Sequence, residues 1–237
     1  RQATRPFLIS LRTAPVKYVA IVMTCLLLAA CDKPAENQAA PVATEAPVGH
    51  YTLDKAHTSV IFRVSHIGFS TYTGSFTGFD ATLEFDPANP SAMKFDGTVD
   101  VASLTLSNPP AGFIVDLLGA MWFEAEKFPT ISFHSTAIEM TGANTANVTG
   151  DFTMHGVTKP LVLAVTFNGG YAGHPYDPNA RIGFSATGIL KRSEFGMAYG
   201  VPEPGTTMGV GDDVHLTLES EFSGPPLKGG AAAPDAH

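Results

Sequence analysis

Apolar and polar residues take turns along most of the chain beyond residue 50. The clearest case is 146–167, where Val148, Gly150, Phe152 and Met154 point one way and Thr149, Asp151, Thr153 and His155 the other. After a turn at His155-Gly156-Val157, Leu161, Leu163, Val165 and Phe167 repeat the apolar face. A period of two in β-branched and aromatic residues predicts half-buried antiparallel strands, one face wet and one dry. Pro160 is expected at the start of the second strand, because it has no N–H to give to a ladder.

Other segments repeat the pattern. Val60, Phe62, Val64 and His66 alternate with Ser59, Ile61, Arg63 and Ser65; Met93, Phe95, Gly97, Val99 and Val101 alternate with Lys94, Asp96, Thr98 and Asp100. Ile131 and Phe133, Ile182, Phe184 and Ala186, and Val214, Leu216 and Leu218 form further apolar rows. Tyr51 to Asp54 opens the series, Ala81 to Phe85 adds a strand, and Asp86-Pro87-Ala88-Asn89-Pro90 is a turn. About eight strands emerge, mostly with short turns between them. Such a meander hides its edges by closing into a barrel or by splitting into a sandwich, and periodicity alone allows both.

One segment departs from the pattern. Ser107-Asn108-Pro109-Pro110 has the form of a helix start, and Ile114, Leu117, Leu118 and Met121 follow at i, i+3, i+4 and i+7. Phe113 and Trp122 widen that stripe. A helix apolar on more than one side needs cover on more than one side, either as a plug in the barrel end or as a lid over an apolar ligand.

Composition narrows the partners. Gly (23) and Pro (18) are abundant and only 15% of residues are charged, which suits short strands and turns. The formal charge is −8. The charged residues of the first thirty (Arg1, Arg5, Arg12, Lys17) are all basic, so the remainder carries −12. So acidic a domain repels phosphate backbones and anionic headgroups: nucleic acid is excluded, and membrane contact needs a separate anchor.

The N-terminus supplies one. Arg12 and Lys17 precede an uncharged apolar run over 18–30, too short to span a bilayer but suited to a signal peptide. The run ends in Leu28-Ala29-Ala30-Cys31, which resembles the bacterial lipoprotein box, so Cys31 is the expected lipidation site. An uncleaved helix, or a signal cut without lipidation, is the alternative. Asp32 resembles the residue that retains lipoproteins on the inner membrane of enteric bacteria. Arg1 is no initiator and Met23 would leave no basic segment, so the true start is expected upstream or at a non-standard codon. The expected organisation is a signal at 1–30, a Pro/Ala/Glu-rich tether at 31–49, a barrel at 50–223 and a disordered tail at 224–237. The tether would hold the domain roughly 25 Å from the membrane, on the cell-envelope side facing the periplasm.

Six motifs in order resemble the YceI-like family. They are 54–60 (DKAHTSV), 62–66 (FRVSH), 74–76 (GSF), 122–130 (WFEAEKFPT), 150–160 (GDFTMHGVTKP) and 209–214 (GVGDDV). The likeness implies an all-β fold, an extended eight-stranded antiparallel lipocalin-like barrel, with the short helix closing or lining an end. It further implies binding of an isoprenoid or similar long lipid inside the barrel, export to the periplasm, and no established catalytic residues. Members often place His, Arg and an acidic residue before the aromatic pair; here the aligned positions are Asp116, Leu118 and Met121, which makes the mouth more apolar.

The candidate lipid-binding residues are therefore Phe62, Val64, Phe95, Val99, Phe133, Phe152, Phe184 and Leu216 from the strands, with Ile114, Leu117, Leu118, Met121 and Trp122 as the lid. Each could equally be ordinary core. Burying roughly 600 Å² of hydrocarbon at about 25 cal/mol/Å² contributes ~15 kcal/mol before association costs, so no catalytic apparatus is needed. His57, His66, His134 and His155 form no metal-ligand spacing, and no nucleophile elbow, phosphate loop or dinucleotide fingerprint occurs. Asp54 with His57 is expected to be a structural pair at a strand end. Two readings follow: a non-catalytic carrier or reservoir for an isoprenoid- or quinone-type lipid, or an envelope interaction module with no transported ligand whose interior is filled by its own side chains. Expected partners are the long-chain lipid and the membrane, with a homodimer allowed; no metal and no cofactor beyond the lipid is expected.

Overall fold

Residues 146–167 form the expected hairpin, β7 (Thr145–Met154) and β8 (Val157–Tyr171), with Met154 opposite Val157. The two turn residues, His155 (φ 52°) and Gly156 (φ 74°), are both left-handed. That is the turn whose twist matches the strands on either side. Pro160 sits fourth in β8, opposite Asp151. With this turn its nitrogen faces away from β7, toward a side where β8 meets β9 only from Ala164 onward, so no ladder bond is lost.

The computed structural model describes residues 44–227. The other strands are β1 (Gly49–His66), β2 (Ser70–Phe76), β3 (Phe79–Phe85), β4 (Lys94–Asp100), β5 (Leu104–Leu106), β6 (Thr130–Met140), β9 (Asn179–Lys191) and β10 (Val210–Pro226). The strand order β1-β3-β4-β6-β7-β8-β9-β10 returns to β1, so the sheet is an antiparallel ring of eight. The ten segments reduce to eight because β2 and β3 both pair with β1, and β5 continues β4 beyond a 3-10 turn at Val101–Ser103. The choice that periodicity left open falls to the barrel.

At one end β5 has no strand beyond it, and the chain between β5 and β6 fills the place. It holds the single α-helix among the described residues, α1 (Phe113–Leu118). This helix is shorter than the apolar stripe predicts. Asn108 and Gly112 adopt left-handed backbone, which delays its start past both prolines, and Gly119 turns extended and ends it. The stripe therefore reaches Leu118 but not Met121.

The domain is also longer than expected at both termini. Thr44 bridges to Gly170, Ala46 is buried, and the Tyr51 hydroxyl donates to the Pro47 carbonyl (2.8 Å), so contacts begin before residue 50. β10 runs to Pro226 rather than stopping at 223, and the Leu227 N–H donates to the Pro178 carbonyl (2.6 Å). Gly224 makes this fit possible: a Cβ there would stand 2.1 Å from the Tyr51 ring. The signal peptide, Cys31, most of the tether and the end of the tail lie outside the described residues.

A side-chain clamp reinforces the closing seam. β1 bulges between Asp54 and Ser59 opposite β10. At the bulge Asp54 accepts from the Ala56 N–H (3.0 Å), lies 3.0 Å from His57 Nδ1, and accepts from Arg181 Nη1 on β9, reaching across β10. Arg181 Nε also donates to Asp177 (2.9 Å). The Asp54–His57 pair is thus structural, though it sits at a bulge rather than a strand end. Burial pushes the Asp54 carboxyl up, but the hydrogen bonds from His57, Arg181 and Ala56 outweigh it and hold the group at about 2. A carboxyl depressed below its unfolded value stabilises the fold above about pH 4, and that contribution is lost as pH falls toward 2. Asp54→Asn should cost about 2 kcal/mol at pH 7. Urea unfolding from pH 5 to 2 should fall less steeply for the variant than for the parent. Parallel curves would show that the carboxylate does not clamp the seam.

Candidate functional site

The inward faces of the ring enclose a cavity of about 1060 Å³. That is at the upper end of ordinary ligand pockets and more than an eight-stranded barrel packed by its own side chains would leave. Two buried clusters form its ends. One, around Tyr51, Phe85, Ile182 and Phe222, lies where β1 begins; the other, around Leu104, Leu117, Phe152 and Phe195, lies under α1.

Glycines keep the lumen open by accepting aromatic rings against the wall. A Cβ on Gly74 would be 2.3 Å from Phe62 Cζ, on Gly150 2.4 Å from Phe133 Cζ, and on Gly97 2.9 Å from Phe95 Cζ. Each ring occupies the space above a residue with no side chain instead of the channel centre. Neighbouring rings then meet at tilted or edge contacts, Phe62 with Phe76 (5.6 Å) and Phe95 with Phe133 (6.1 Å).

Among the sequence candidates, Phe62, Val64, Phe95, Val99, Phe133, Phe152, Phe184 and Leu216 line this cavity, with Leu117 and Trp122 from the cap. Three lid candidates do not. Ile114 and Leu118 pack into the core cluster without reaching the cavity, and Met121 is 59% exposed because α1 ends before it. Phe113 and Phe123 take their place in the lining.

Sequence reasoning passed over Arg192, the one charged residue buried among those described, at 4% exposure. Its signal was available: on β9 the inward parity of Ile182, Phe184, Ala186, Gly188 and Leu190 continues to Arg192. Its Nε donates to the Gly211 carbonyl (2.9 Å), Nη1 to Met197 (2.7 Å) and Tyr199 (2.9 Å), and Nη2 to Val210 (2.7 Å). The guanidinium also stacks 5.3 Å from the Trp122 ring centre, and Trp122 meets Tyr199 edge-on at 5.4 Å. Burial pushes the guanidinium pKa down while Asp212 opposes the shift.

The histidines are spread apart. His134 pairs across strands with Asp96 (2.6 Å) on exposed positions, and His66 is exposed beside Tyr72. His155 latches the cap: Nδ1 lies 3.1 Å from the Phe195 carbonyl, Nε2 3.6 Å from Glu124, and the ring packs on Phe128 (4.5 Å). Asp54, His57 and Glu221 bring ligand atoms within 4.8 Å of one another, but Arg181 already occupies the Asp54 carboxylate.

Around the capped end several large apolar side chains face outward: Phe69, Val115, Met121, Tyr199 and Met208. They are linked through the fold. The turn bearing Phe69 packs on Thr207, next to Met208, and Tyr199 touches Trp122, next to Met121.

Residues 51–222 match the YceI-like domain. The chain belongs to the YceI-like family. A UPF0312 protein of Pseudomonas savastanoi is 37% identical over 186 residues, covering 77% of this chain and 89% of that one. A UPF0312 protein of Pseudomonas putida is 38% identical over 169 residues, covering 70% and 83%. Among solved structures, the Campylobacter jejuni YceI protein is 34% identical with a TM-score of 0.57, covering 73% of this chain and 96% of its own. Burkholderia cenocepacia BcnA is 28% identical with a TM-score of 0.60, covering 71% and 98%. A polyisoprenoid-binding domain of Saccharophagus degradans shares the YceI-like fold at 11% identity, with a TM-score of 0.56 and coverage of 76% and 100%.

If glycines hold the rings of this YceI-like barrel aside, Gly74→Ala should push Phe62 into the lumen. Overpacking of that kind costs about 1–3 kcal/mol, to be read from denaturant midpoints. An unchanged midpoint would mean that the ring moves freely.

Proposed function

We propose that this protein holds one long-chain, isoprenoid- or quinone-like lipid in its barrel, as a carrier or reservoir, without catalysing a reaction on it. The observation that carries this reading is the apolar cavity of about 1060 Å³ with a single buried charged group in its lining. Covering hydrocarbon in such a space provides affinity through the hydrophobic effect alone. A domain of Saccharophagus degradans with the same fold is described as polyisoprenoid-binding, which supports this reading.

The apolar collar at the capped end supports entry and exit there. Phe69, Met208 and Tyr199 would meet a bilayer surface, and α1 with its following turn would yield to the chain. Acylation at Cys31 would keep the domain beside the membrane from which lipid is taken, within the bacterial envelope and facing the periplasm. Cys31→Ser should move the protein from the membrane fraction to the soluble periplasmic fraction, as read by fractionation and blotting. Retention in the membrane would remove the acyl anchor from this account.

The alternative, an envelope interaction module with no transported ligand, requires an interior filled by its own side chains, and the cavity volume argues against that condition. Native mass spectrometry of the purified protein separates the two. A bound species of long-chain lipid mass is expected, and Ala186→Phe, which adds a ring to the cavity wall, should lower its occupancy several-fold with the fold intact by circular dichroism. A protein that carries no lipid and takes none from vesicles would favour the interaction module.

A further inference from the structure

Arg192 presents a chemical feature that a plain hydrocarbon holder does not need. Its guanidinium has five N–H donors, and four are taken by the carbonyls of Gly211, Met197, Tyr199 and Val210. One Nη2–H is left over. The arginine ion pairs among the described residues belong to Arg181, and the nearby Asp212 is committed to the N–H and hydroxyl of Ser193, both at 2.8 Å. The group is at once 96% buried, part of the cavity lining and stacked on Trp122. A buried donor without an acceptor is costly, so the position favours a ligand that brings one.

The number of free donors decides which acceptor fits. A phosphate carries three strongly accepting oxygens and needs several donors. Here there is one, ringed by four carbonyl oxygens whose negative ends repel an anion, and no lysine lines the cavity. We propose that Arg192 is the head-group receptor of the cavity, its remaining N–H taking one uncharged carbonyl oxygen, of ketone, quinone or ester class, from a lipid whose chain lies along the barrel. This rests on the lipid-holding reading and adds to it the class and position of the head.

The test uses three isoprenoid-derived branched chains of similar length: phytane (hydrocarbon), phytone (ketone) and phytyl phosphate. Trp122 is the only tryptophan, so its fluorescence in the delipidated full chain reports binding beside Arg192. Phytone should bind about tenfold or more tightly than phytane, as expected for a hydrogen bond to a charged donor, and phytyl phosphate no more tightly than phytone. Arg192→Gln should erase the advantage of phytone over phytane. If that variant fails to fold, because Arg192 also clamps four carbonyls, the three-probe series on the parent protein decides alone. Equal affinities for phytane and phytone would reduce Arg192 to a structural clamp while the lipid cavity stands. Tightest binding of the phosphate would make the receptor an anion site and overturn the proposal. Binding of none of the three would overturn the lipid-holding reading, and the proposal with it.

Discussion

When β10 hydrogen-bonds to β1, the sheet closes into a ring and gains an inside, with only the short β5 left without an outer neighbour. Pairs such as Leu53 with Phe222, Phe62 with Leu216 and Val64 with Val214 set that seam. Because strand side chains alternate, closure in this register sends every second residue of all eight strands to one shared space. A slip of one residue between β1 and β10 would put their apolar rows on opposite faces, turning Phe62 and Val64 outward while Leu216 and Phe222 stayed inside. The cavity, its apolar lining and the acidic exterior all follow from this pairing. The clamp of Asp54, His57 and Arg181 across β1, β10 and β9 acts at the same seam.

Closure alone would allow a filled core. The difference lies in where the bulk is placed. Large rings at Phe62, Phe95 and Phe133 are matched to Gly74, Gly97 and Gly150, so bulk on one position is offset by its absence at another. The inner surface is smooth and aromatic, and the space left over is continuous. Such a wall suits a flexible chain, which makes many weak contacts and no specific ones.

The two ends are built differently. Where β1 begins, Tyr51, Ile182 and Phe222 pack tightly, and the chain before β1 folds over them through Ala46. At the other end the strands stop pairing early, β5 lacks an outer neighbour, and a short helix, two 3-10 turns and the His155 latch fill the gap. The buried charge lies there, held by main-chain carbonyls instead of a carboxylate, which spreads its compensation over neutral dipoles. The four carbonyls take four of the five guanidinium donors and leave one over. The position of Arg192 beside Trp122 thereby gives the cavity a polar end and an apolar end.

Period-two patterning was enough to identify the strands and the face each turns inward, because alternation is a local property of the extended chain. Phe62, Val64, Phe95, Val99, Phe133, Phe152, Phe184 and Leu216 were legible for that reason, and Arg192 was within reach of the same parity. The helix was misjudged at both ends: its stripe is also local, but the left-handed turns at Asn108 and Gly112 and the stop at Gly119 answer to the shape of the barrel end. Met121 therefore fell outside, and Ile114 and Leu118 went to the core. The domain limits shifted likewise, since Ala46 and Gly224 are held by contacts with strands far away in the chain. Local patterning thus specifies the strands and the side of each that avoids water. Barrel or sandwich, open lumen or filled, and the meeting of Arg192 with Trp122 belonged to the tertiary structure alone, because they depend on which distant strands share hydrogen bonds and on which rings lie over which glycines.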